Sequence, residues 1–327
     1  MNRRVWVEFA ALSALWGASY LFIKIALRDM SATEIVTVRT ALAALVLFPF
    51  ALRRGAFAGL GRRVPEIALL GVVQVTLPFM LITFGERHIA SSLTGILVGA
   101  APIWIALIAP VLDPEESSSG WRLVGVIVGI VGVALLLGVD LSGDSQALFG
   151  GVLVVLGALG YALGGLFVKR RFKGPDPVGV VTGTTLTTAL ITLPFAITTA
   201  PSGTPGIGPL AAVVVLGVGG TGIAFVLFYN LVASAGPART SLVAYVSPAF
   251  ALFYGVVFLD ESVGAGGYIG LVLILAGSWL AAGGRLPAAR GKLAAGRGDV
   301  ATASQPDCGP QAVLLERRAE SVDSAAT

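Results

Sequence analysis

Apolar residues run along this chain in blocks of about 20, the length of helix that crosses a bilayer core, and polar residues gather in the short gaps between the blocks. The runs fall at residues 5–27, 34–52, 66–86, 91–112, 121–140, 148–168, 178–198, 209–233, 239–259 and 267–284. Several gaps carry turn chemistry, as in Gly174-Pro175-Asp176-Pro177 and Pro201-Ser202-Gly203-Thr204-Pro205-Gly206. The pattern predicts an all-α polytopic membrane protein with ten transmembrane helices. Residues 285–327 lose the apolar pattern, become rich in Ala, Gly and Arg, and predict a disordered cytoplasmic tail.

Composition agrees. Of the 327 residues 56% are hydrophobic and 12% charged, about half the charged share of a soluble domain. The sole cysteine, Cys308, and the sole histidine, His88, exclude an intrachain disulfide framework and a Cys/His zinc site. No Gly-x-x-x-x-Gly-Lys-Ser/Thr loop is present, which excludes ATP-driven pumping by this chain. The sequence implies no cofactor, no metal and no catalytic constellation, so an enzyme is not expected.

Charge then sets orientation. With the N-terminus in the cytoplasm, the inner segments hold all of the 22 Lys and Arg residues except Lys24, Arg28, Arg39 and Arg87. Lys and Arg near helix ends favour the cytoplasm, so an even helix count places both termini inside a cell inner membrane. The net charge of +4 comes from these short clusters and does not form a nucleic-acid-binding face.

The chain also resembles itself. Phe22-Ile23-Lys24 matches Phe167-Val168-Lys169 at an offset of 145, and Pro49-Phe50-Ala51 matches Pro194-Phe195-Ala196 at the same offset. Thr76 matches Thr221, Gly125 and Gly132 match Gly270 and Gly277, and Pro102 matches Pro248 one residue out of step. The expected organisation is a first five-helix repeat over residues 1–140 and a second over 148–284. Five is odd, so the second half enters from the opposite side, giving the inverted repeat common among secondary transporters.

Leu15-Trp16-Gly17-Ala18-Ser19 leading to Ile23-Lys24 resembles the first helix of the EamA family within the drug/metabolite transporter superfamily. The segment Ser241 to Leu280 resembles that family's last two helices through Pro248, the acidic pair Asp260-Glu261, and Gly270 and Gly277. In the first half Asp113-Pro114-Glu115-Glu116 departs from the family's compact helix end. The resemblance covers about residues 5–284. It implies ten helices and export or exchange of a small solute, and says almost nothing about which solute.

Ionisable groups at membrane depth mark candidate sites. Arg39 either faces a central cavity and binds a carboxylate or phosphate, or snorkels outward, or pairs with Glu34. Lys24 lies near the outer end, where the charge rule disfavours it, and is a candidate gate or substrate contact. Glu8 reads as an interfacial charge or a proton-coupling group; His88, following Glu86 and Arg87 at the outer end of the third helix, reads as a pH sensor or as part of a polar cluster on the outer rim. Trp16, Tyr20, Trp104, Tyr161 and Tyr245 are aromatics that either line a cavity or pack between helices. Gln74 and Asn230 offer hydrogen bonds to a polar solute or to neighbouring helices. Pro102 and Pro248 are candidate hinges, or static kinks. Together these readings point to a secondary transporter of small organic metabolites, with Arg39 and Lys24 favouring carboxylates such as amino acids. The alternative is a non-transporting scaffold or a passive channel-like facilitator. The expected partners are a small solute and the lipid bilayer; the sequence leaves the oligomeric state open.

Overall fold

The structure, a computed structural model, describes residues 3–112, 120–140, 144–201 and 203–282. The expected tail and the acidic run at 113–116 lie outside the described residues. Among those residues the protein is helical, with no strand. Eight helices are long and apolar enough to cross a membrane: α1 Arg3–Ala26, α2 Ala32–Arg53, α3 Leu60–Glu86, α4 Ser91–Val111, α5 Trp121–Gly138, α6 Ser145–Arg171, α7 Pro177–Thr199 and α8 Ile207–Ala235. Two shorter apolar helices follow, α9 Val243–Leu259 and α10 Ala265–Ala281.

Local chemistry sets most boundaries. Ser31 opens α2 with a capping box: its hydroxyl accepts from the Glu34 N–H while the Glu34 carboxylate accepts from the Ser31 N–H. Asp144 and Asp176 cap α6 and α7 through their side chains. The structure departs from the sequence pattern in two helices. The run at 91–112 is interrupted at Gly99 and Ala100, just before Pro102, whose ring removes a donor and crowds the preceding turn. The penultimate helix starts at Val243 rather than 239, after a separate turn at Pro237–Thr240. Pro248 lies inside α9 without interrupting it.

Both α3 and α8 contain a π-helical turn, at Gly71–Thr76 and Val218–Ile223. In each a threonine hydroxyl donates five residues back: Thr76 to the Gly71 carbonyl and Thr221 to that of Leu216. Such turns often mark functional sites.

The principal helix pairs are α5 with α10, α2 with α7, α4 with α9, α1 with α9 and α8, and α6 with α3 and α4. α5 meets α10 backbone to backbone. A methyl on Gly277 would lie 2.6 Å from the Gly129 Cα, and one on Gly125 would lie 2.7 Å from the Gly277 carbonyl oxygen. Small residues at this spacing let membrane helices approach closely. The outward faces are apolar, with Leu190, Ile197 and Val272 each more than 60% exposed, as contact with lipid tails requires. Gly277→Val is expected to cost about 1–3 kcal/mol through overpacking and to lower the thermal midpoint in detergent. Gly61→Ala, at a site with nothing within 4 Å of the added carbon, serves as the unchanged control.

Candidate functional site

The helices enclose a cavity of about 560 Å³, within the usual range for small-molecule sites. Its lining extends to Phe172, Pro175 and Pro177 at the α6–α7 connection and stops at Ile23 and Ile82 toward the opposite end. The cavity therefore opens at the end that carries the α6–α7 connection.

Arg39 supplies the cavity's cation. It is 7% exposed on α2, so it neither snorkels to the interface nor pairs with Glu34, whose carboxylate is engaged by Ser31. The Arg39 guanidinium stacks on the Phe79 ring, 3.8 Å from its centroid, and Nε donates to the Thr221 hydroxyl at 2.8 Å. Thr221 in turn donates to the Leu216 carbonyl, so the π-helical turn of α8 orients the hydroxyl that holds Arg39. Among the described residues the two terminal guanidinium nitrogens have no hydrogen-bond partner, and the residue lines the cavity. A stacked, tethered guanidinium with a free fork suits a planar carboxylate.

The other lining is aromatic with a few polar tips. Trp16 packs against Phe228 and Phe225 at centroid distances of 5.5 and 6.4 Å, and Phe225 stacks on Tyr229. Tyr161 meets Phe79 edge-on. Tyr20 and Gln74 also face the space. Thus Trp16, Tyr20, Arg39, Gln74 and Tyr161 come together, joined by Pro102 and Pro248. The Pro248 ring packs against Gly99, where α4 is interrupted.

Four residues expected at the site lie outside this lining: Lys24, Trp104, Asn230 and Tyr245. Tyr245 donates its hydroxyl to the Ser278 carbonyl. Trp104 and Asn230 are half-buried on α4 and α8. Lys24 closes the far end of the bundle, where Nζ donates to the carbonyls of Glu86 (2.7 Å) and Ile89 (2.8 Å). Those carbonyls belong to the end of α3 and the turn after it, which a cation stabilises. Glu8 bonds Arg4 at the start of α1, away from the cavity. The outer-rim reading of Glu86 is corrected: Arg87 and His88 are exposed, but the Glu86 side chain is fully buried.

Sequence reasoning passed over Phe79, Phe225, Phe228 and Thr221 as members of the lining. Nothing separates these phenylalanines from ordinary lipid-facing ones except the rotational phase of their helices. Thr221 carried a signal through its match to Thr76. Glu261, noted only as part of a helix-end motif, caps α4: both carboxylate oxygens accept from the backbone, Oε1 from Ser91 at 2.7 Å and Oε2 from Ser92 at 2.9 Å. Glu261→Ala is expected to remove about 0.5–2 kcal/mol of stability, the usual loss for a helix cap, read as a lower thermal midpoint; Glu261→Asp should restore part of it.

Residues 4–138 and 148–283 match the EamA-like transporter family. The chain is 22% identical over 281 residues to the uncharacterized transporter YoaV of Bacillus subtilis, covering 85% of this chain and 96% of that one. It is 26% identical over 251 residues to the uncharacterized inner membrane transporter YedA of Escherichia coli, covering 75% and 79% of the two chains. One solved crystal structure superposes with a TM-score of 0.61 at 20% identity, covering 86% of this chain and 98% of that one, a likeness of fold alone. With family matches spanning nearly all of the described helices, this chain belongs to the EamA-like transporter family.

Proposed function

We propose that this transporter moves small organic metabolites bearing a carboxylate, amino acids among them, across the inner membrane by alternating access, as an exporter. The observation that carries the reading is the buried Arg39 guanidinium, held by Phe79 and Thr221, with its two terminal nitrogens free at an aromatic cavity. Two charge-assisted hydrogen bonds from that fork to a carboxylate, at about 1.5–3 kcal/mol each, are enough to select an anionic group from water. Gln74 and the hydroxyls of Tyr20 and Tyr161 supply the polar contacts, and the rings supply the apolar wall.

The packing supports two inverted halves. Exchanging each helix with the one five further on maps α5–α10, α2–α7 and α4–α9 onto themselves, α1–α9 onto α6–α4, and α1–α8 onto α6–α3. A bundle with such a pseudo-two-fold can present its centre to each side in turn. The cavity opens beside Lys169, Arg170 and Arg171, the cytoplasmic face by the charge rule, where an exporter loads. On this reading both termini are cytoplasmic. Pro102, beside the interruption in α4, and Pro248, packed against that interruption, are the proposed hinge pair.

Purified protein in liposomes, screened with labelled amino acids and small carboxylates, is expected to give saturable, protein-dependent flux. Arg39→Ala should abolish that flux while the variant still inserts and remains monodisperse. Arg39→Lys should retain only a fraction, because an ammonium lacks the planar fork. Normal transport by Arg39→Ala would remove Arg39 from the site. Folded protein that moves no solute would favour a scaffold instead.

A further inference from the structure

The end of the bundle opposite the cavity mouth holds a second charged cluster that solute recognition does not use. Glu86, on the last turn of α3, has 0% exposure. Among the described residues neither carboxyl oxygen has a hydrogen-bond partner. Thr83, one turn earlier, and Ser91 and Ser92, at the start of α4, also bury hydroxyls that have no partner among the described residues. The nearby ammonium of Lys24 is spent on the backbone carbonyls of Glu86 and Ile89, and neither of its bonds reaches the Glu86 carboxyl. The nearby carboxylate of Glu261 is bound to the first N–H groups of α4.

The ionisable groups that face Glu86 come from three elements. From α1 come Lys24 and Tyr20; from α2, Arg39; from the α9–α10 connection, Glu261. α4 offers only hydroxyls there, and α6 presents Gly150 and Val154 to the neighbouring Gly85. Arg87 and His88 on the same segment point out to the exposed side. The carboxyl thus faces two cations that it does not touch, another carboxylate, the Tyr20 phenol, a few hydroxyls, and otherwise apolar packing.

We infer that Glu86 is a proton-binding site linked to the closing of this end of the bundle: the end is closed with a proton on the Glu86 carboxyl and releases that proton to water when it opens. The inference rests on the alternating-access reading above. An ionised carboxylate removed from water needs donors, and Glu86 has none. A neutral carboxylic acid tolerates the same place far better. Separating Lys24 from the α3–α4 turn and Glu261 from the start of α4 would let water reach Glu86, and the carboxyl then ionises by giving its proton to that water. Closing takes one proton back from the same side. No other reactant is needed. The sign follows from linkage: the closed state binds more protons, so lowering the pH on this side favours closure and raising it favours opening.

Two measurements test this on the full chain in lipid. Infrared spectra at neutral pH should contain a protonated carboxylic-acid band that Glu86→Gln removes and Glu86→Asp shifts. Absence of such a band from the otherwise unaltered protein means that Glu86 is ionised, which overturns the inference and leaves the transport reading intact. The second measurement uses Ile89→Cys in a Cys308→Ser background, labelled from this side with a membrane-impermeant maleimide. Corrected for thiolate reactivity with a free thiol, labelling should rise with pH by up to about tenfold per unit, the limit for one linked proton. It should become independent of pH when Glu86→Gln is added, and shift its midpoint when Glu86→Asp is added. Labelling that stays flat with Glu86 present, or that follows sodium in place of pH, overturns the linkage. No flux of any solute, together with the band and the pH-dependent labelling, would instead count against the transport reading alone.

Discussion

A polar group inside hydrocarbon finds no water, so whatever a helix cannot satisfy within itself must be satisfied by another helix. Much of this bundle's tertiary structure follows from that constraint. The threonines of α7 return most of their hydroxyls to carbonyls of their own helix, as Thr182 does to Val178 and Thr192 to Thr188. Several also pair across the interface: Thr37 with Thr192, Thr33 with Thr199, and Thr76 with Thr188. Each such bond is worth about 0.6 kcal/mol in a membrane, too little to drive association, but enough to fix which faces meet.

Helix ends pose the same problem on a larger scale, since each leaves backbone groups unpaired. Here charged side chains from other helices meet them. Lys24 of α1 caps the end of α3, Arg63 of α3 donates to the Arg171 carbonyl at the end of α6, and Arg122 of α5 donates to the Ala281 carbonyl at the end of α10. Carboxylates do the reverse at N-termini: Glu261 at α4, and Asp29 at Gly206 just before α8. Cations stand at C-terminal ends and anions at N-terminal ends, as the helix dipole favours. These contacts link segments far apart in the chain. At the closed end of the bundle Lys24, Glu261 and Asp29 form a set of such electrostatic caps.

The helices were legible because hydropathy over 20 residues is set by the solvent and needs no tertiary information. The run at 34–52 and α2 Ala32–Arg53 differ by two residues or fewer at either end. Where a single residue overrides the run, legibility fails. Pro102 ends the first part of α4, yet Pro248, its counterpart in the repeat, leaves α9 continuous. A π-helical turn adds a residue to the ladder without changing hydropathy, so those in α3 and α8 left no trace in the apolar pattern. At the site, Arg39 stood out because a lone arginine at membrane depth is rare. Glu86 did not, because Arg87 and His88 follow it and make the segment look like an interface. One residue of helix is about 100° of rotation, enough to turn Glu86 inward while its two neighbours face out.

On the proposed repeat, Arg39 corresponds to Thr184, and both line the same cavity. The scaffold would therefore duplicate positions while the chemistry stays one-sided. Trp16 and Tyr161 correspond in the same way, each giving an aromatic wall with a different polar tip. A symmetric pair of arginines would hold a dianion or would repel each other when the cavity is empty. A single arginine, stacked on Phe79 and tethered by one hydroxyl, recovers part of the cost of burying its charge, since a buried cation–π contact returns about 2 kcal/mol. On the carboxylate reading proposed above, it would recognise one anionic group, and a solute would enter with its carboxylate toward α2 and its remainder among the rings of α1 and α8. On that proposal the orientation of the solute follows from the asymmetry of the lining, and the proposed pseudo-symmetric frame is left to supply the motion.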